Sequence, residues 1–145
     1  MRFMMLMIPK VYQGPEGRKA AASFNAGAEV VEAMLKYNQR LEEAGALISL
    51  DGLSPPAGAT RISFSNGKAT VTDGPQIESN DALGGYWMID VKSRQEAIEW
   101  ARQIPAQEGD VVEIRQVLEV SDFPAEVQGA AAAALRKLEA EVNAA

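Results

Sequence analysis

The 145-residue chain contains no cysteine and no histidine. Without cysteine it has no disulfide framework, no thiolate zinc or iron–sulfur ligands and no thiol nucleophile. Without histidine the Ser-His-Asp and Cys-His machineries are excluded, together with ordinary zinc and haem sites. Proton transfer is left to carboxylates, lysine, tyrosine or water, and neither a cofactor nor a metal is expected. Basic charge is scarce as well: 14 Lys and Arg stand against 20 Asp and Glu, a net charge of -6. Affinity for a phosphate backbone needs a basic face, so no nucleic-acid partner is expected. Long apolar runs are missing too. "MRFMMLMIPK" stops at Pro9-Lys10 and lacks a small-residue cleavage motif, so it reads as a buried strand and not a leader. No other stretch approaches the roughly 20 apolar residues that span a bilayer. The expectation is a cytoplasmic protein without membrane contact, long enough to bury a core of its own.

Periodicity supplies what these absences leave open. Arg2 to Ile8 is apolar on both faces, as a buried strand is. In "SFNAGAEVVEAMLKYNQRLEEAG", Val30, Met34, Tyr37 and Leu41 recur at helical spacing, and Gly45 falls where a left-handed cap belongs. "ALISLDGLSPP" reads as a strand ended by prolines. "ATRISFSNGKATVTDGP" holds two alternating runs around Asn66-Gly67, the strongest short signal for a β-hairpin. "YWMIDV" follows Gly84-Gly85, a pair that signals a bulge or close backbone approach. Ser93-x-x-Glu96 then opens a helix carrying Ala97, Trp100, Ala101 and Ile104 on one side. "DVVEIRQVLEV" is the last strand. A tail helix follows, with Val127, Ala131, Leu135, Leu138 and Val142 at helical spacing.

With the hairpin and tail set aside, the order is strand, helix, strand, strand, helix, strand. That is the α+β, ferredoxin-like α/β-plait, or split βαβ, with an inserted hairpin and a C-terminal helix. Residues 1–120 are expected to form the body and 121–145 a helical extension. Right-handed crossovers place both body helices on one face of the sheet. The other face carries apolar residues of the first strand together with Tyr86, Glu113 and Arg115, and a homodimer is the economical way to cover it. Tyr86, Glu113 and Arg115 are therefore the candidate ligand-binding residues, around a partly polar cavity between copies. Glu113 and Arg115 have two readings: a salt bridge, or Arg115 gripping a ligand carboxylate or phosphate bidentately. Asp73 is the candidate catalytic residue. As a general base it needs burial and an upward-shifted pKa; as the corner of Asp73-Gly74-Pro75 it needs only to accept hydrogen bonds, which is the role expected of it.

The stretches "LDGLSPP", "VTDGPQIESNDALGGYWMIDV", "SRQEAIEWARQIP" and "VVEIRQV" stand in the order and spacing of the YCII-related, or DGPF, family of small bacterial proteins, which the chain resembles from Met1 to about residue 120. The resemblance implies a dimeric ferredoxin-like plait and says little about activity. Two departures stand out. Gln76 occupies the place of the signature phenylalanine, and the histidine that some relatives pair with an aspartate is missing. The expected function is binding of a small polar or anionic molecule at the sheet and dimer interface. The alternative is a non-catalytic interaction or regulatory module, since in some genomes similar proteins occur beside alternative sigma factors.

Overall fold

Strand β1 (Arg2–Ile8) organises the molecule, because it lies inside a four-stranded sheet and alternates strictly between its two faces. A computed structural model describes residues 1–14, 27–74 and 81–144. In it Phe3, Met5 and Met7 are buried while Arg2, Met4, Leu6 and Ile8 are half-buried, as the two-residue period of a strand requires. β1 pairs antiparallel with β5 (Gly85–Asp90) on one side and β6 (Val111–Gln116) on the other, and β5 pairs antiparallel with β2 (Leu47–Gly52). The sheet order is β2-β5-β1-β6. Strands β3 (Thr60–Ser65) and β4 (Lys68–Asp73) form a separate two-stranded sheet. Their turn is Asn66-Gly67, with φ of 50° and 73°, the left-handed pair that a tight hairpin demands.

Helix α1 (Ala28–Glu43) and helix α2 (Arg94–Arg102) pack on the face that carries Phe3, Met5, Met7, Trp87 and Ile89. α1 contributes Tyr37 and Leu41 to this core, and α2 contributes Ala97, with Trp100 and Ala101 packed against it. The cap of α2 uses the residues its sequence signals: Glu96 N–H donates to Ser93 Oγ at 3.1 Å, while the Glu96 carboxylate accepts from Lys92 N–H at 2.8 Å, one position earlier than in a standard capping box. Tyr37 ties the layers together. Its hydroxyl donates to the Trp100 carbonyl at 2.9 Å, and its ring meets Trp87 and Trp100 edge-on at 5.8 and 6.4 Å. Burial pushes the Tyr37 phenol well above its ordinary value, so it stays a donor.

A third helix, α3 (Ala125–Ala144), has no buried residue. The described molecule is thus α+β, with an antiparallel main sheet, a hairpin and three helices. The Gln76 position and the start of the first helical stretch, Ser23 to Ala26, lie outside the described residues.

Candidate functional site

Strand register assigns the predicted residues to places. Two rows cross the face opposite α1 and α2, free of those two helices: Ser49, Met88, Met4 and Arg115 in one, and Asp51, Tyr86, Leu6 and Glu113 in the next. Tyr86, Glu113 and Arg115 therefore share a face, with β1 between Tyr86 and Glu113, a gap of roughly two strand spacings or 10 Å. Tyr86 is engaged: its hydroxyl donates to Asp51 Oδ2 at 2.6 Å, and this hydrogen bond, helped by desolvation and the carboxylate's charge, raises the phenol pKa. Glu113 and Arg115 are exposed, and neither has an ion-pair partner among the described residues. Asp73 stands apart. It ends β4 in the separate hairpin, exposed, and accepts a hydrogen bond from Thr60 Oγ1 at 2.7 Å.

On the helix side of the sheet lies a cavity of about 490 Å³, between α1 and the ends of β2, β5 and β1. Its apolar walls include Val30 and Met34 from α1, Leu50 from β2, Trp87 from β5 and Met7 from β1. Gly84 and Gly85 let neighbouring chain pack closely in the wall at this end of the sheet. A Cβ at Gly85 would stand 2.7 Å from the Asp51 carbonyl oxygen, and one at Gly84 would stand 2.5 Å from Pro9 Cγ, so both positions exclude any larger residue. The segment 105–110 closes the opposite wall. Asp110 pins it by accepting Lys10 N–H and Gln107 N–H through its two oxygens, each at 2.8 Å, and the Gln13 side chain donates to the Gly109 carbonyl at 2.7 Å.

Of the candidate catalytic and binding residues, Tyr86 borders this cavity at the end of the sheet, with its hydroxyl held by Asp51; Asp73, Glu113 and Arg115 do not line it. The sequence reading missed Asn38, whose Oδ1 accepts the Trp87 indole N–H at 2.8 Å. A signal for it existed. Asn38 lies one helical turn from Met34 and beside Tyr37, a polar residue at the edge of an apolar stripe. The arrangement can hold a small molecule between apolar walls and offer it a few fixed polar groups. Among the described residues no cluster of three or more His, Cys, Asp or Glu could hold a metal ion, and no helix is long and apolar enough to cross a membrane.

Comparison with known proteins adds two findings. Over 89 residues the chain is 30% identical to an uncharacterised protein of Rhizobium meliloti (strain 1021), a match covering 61% of this chain and 72% of that protein. The model of the YCII-related domain matches residues 1–121, which takes in the whole four-stranded sheet, the hairpin and helices α1 and α2. By that match the chain belongs to the YCII-related domain family.

Proposed function

We propose that the protein is a small-molecule-binding domain built as a ferredoxin-like plait and working as a homodimer. The cavity carries this reading: at about 490 Å³ it falls within the roughly 300–1,000 Å³ of typical ligand sites, and it combines apolar walls with a few polar groups at one end of the sheet. The order β2-β5-β1-β6, with the hairpin set aside, supports the plait. The half-buried Met4, Leu6, Ile8 and Met88 support giving the helix-free face to a second copy and not to the ligand. Asp73, tied to Thr60 in the hairpin, is given a structural role.

The test is a thermal-shift screen of small, largely apolar molecules on the full chain. A ligand that binds the folded form raises its stability by mass action, about 2.7 kcal/mol at 100 times Kd. Met34→Trp, which fills the cavity, should remove the response while leaving the fold intact by circular dichroism. A response unchanged by Met34→Trp would place the binding elsewhere and overturn the assignment of the cavity.

A further inference from the structure

We infer that the cavity selects neutral, largely apolar molecules bearing one carbonyl-type acceptor, and that the Asn38 side-chain amide reads that acceptor; the inference rests on the small-molecule reading above. The orientation of Asn38 is fixed by its neighbour. An indole N–H can only donate, so the contact at 2.8 Å from Trp87 Nε1 requires the Asn38 oxygen to face it. A flipped amide would set donor against donor. The Asn38 NH₂ group is thereby fixed as an outward donor in the cavity wall, and it has no partner among the described residues. A ligand carbonyl entering the cavity would accept from it in place of water.

The shape of the wall selects the rest of the molecule. Trp87 is 6% exposed and held edge-on against Tyr37, so its place in the wall, and that of the Asn38 amide bonded to it, is rigid. Met7 and Met34 line the cavity with it, and their unbranched, polarisable chains adapt to a ring laid between them. Charge selects against anions. Glu108 and Asp110 in the lining outnumber Lys10, in a chain whose net charge is already -6. A carboxylate ligand would gain the Asn38 donor and meet repulsion around it, whereas a neutral amide or ketone gains the donor alone.

The experiment titrates the full-length protein with 1-naphthamide, 1-methylnaphthalene and 1-naphthoate by calorimetry, with wild type, Asn38→Asp and Met34→Trp. These probes share one ring system and differ in the acceptor and its charge. In wild type the amide should bind about tenfold tighter than either of the others, the effect of one well-placed hydrogen bond. Asn38→Asp retains an oxygen facing Trp87 and replaces the donor with an acceptor, so the amide should fall to the level of the methyl compound. Met34→Trp should abolish binding of all three. Naphthoate equal to or tighter than naphthamide, or a preference for the amide that survives Asn38→Asp, overturns the inference and leaves the binding reading standing. Failure of all three to bind wild type also overturns it, and the wider screen then judges the binding reading separately. If Asn38→Asp does not fold, the ranking of the three probes on wild type decides.

Discussion

Asp73 shows how a residue that looks catalytic can be held by its own hairpin. Thr60 and Asp73 are register partners at the open end of β3 and β4, and the threonine hydroxyl donates to the carboxylate. The next residue continues the closure, with Gly74 N–H donating to the Ala59 carbonyl at 2.9 Å. The sequence leads one to expect a carboxylate that accepts backbone amides of its own corner, and the amides beyond Gly74 lie outside the described residues; the partner found among the described ones is a side chain across the ladder. An amide oxygen can accept the same hydroxyl. Asp73→Asn should therefore leave stability within about 0.5 kcal/mol of wild type, whereas Asp73→Ala should cost about 1 kcal/mol through the lost cross-strand bond, both measured by urea denaturation. If Asp73→Asn stays folded yet loses the thermal-shift response to ligands, the corner belongs to the binding site after all.

At the scale of elements, α3 buries none of its residues, and an ion pair stands just ahead of it. Just before it, Glu119 receives both Nε and an Nη of Arg2, at 2.8 and 3.2 Å, a bidentate pair that ties the segment to the first residue of β1. The Arg2 hydrogen bond holds the Glu119 carboxyl below its ordinary pKa. A depressed folded-state pKa means that this contribution is present above the unfolded value, about 4.3, and is lost as the pH falls through the folded value. Amide protection in residues 125–144, read by hydrogen exchange with the intrinsic rate corrected, should therefore drop in wild type below about pH 4. In Glu119→Gln it should be low already at neutral pH and change little with acid. Equal protection in the two proteins at neutral pH would show that the pair does not hold the helix.

The same elements show what a sequence can and cannot disclose. β1, the Asn66-Gly67 hairpin and the Ser93 cap are set by neighbours within a few residues, and each is found where its local pattern puts it. The face shared by Tyr86, Glu113 and Arg115 also follows from strand alternation alone. The cavity does not. Met7, Met34, Leu50 and Trp87 come from four elements, and only the sheet order makes them one wall. Gly84-Gly85 marked a close approach without saying of what, since the atom that forbids a side chain at Gly85 belongs to Asp51, more than 30 residues away in the chain.

For the whole molecule the sheet sets the remaining problem. α1 and α2 cover one face, and the other presents Met4, Leu6, Ile8 and Met88 in its middle with Glu113 and Arg115 along the β6 side. A second copy related by a two-fold axis would meet the same surface, so Glu113 of one chain could face Arg115 of the other, giving both charges the partner they lack within the described chain. Wild type should then scatter light as a dimer at micromolar concentration, with an interface of about 1,200 Å² or more. Leu6→Arg buries an unpaired charge in the centre of that interface and should weaken the dimer by about 3 kcal/mol or more, over 100-fold in Kd. The charge pair offers a sharper check. Glu113→Arg alone sets like charges against each other and should weaken the dimer, whereas Glu113→Arg combined with Arg115→Glu restores opposite partners and should recover it. A dimer indifferent to Leu6→Arg and to the single swap would have to use another surface, with the exposed stripe of Leu135, Leu138 and Val142 on α3 the next to test by truncation after Pro124. A monomeric wild type would show instead that the helix-free face meets water.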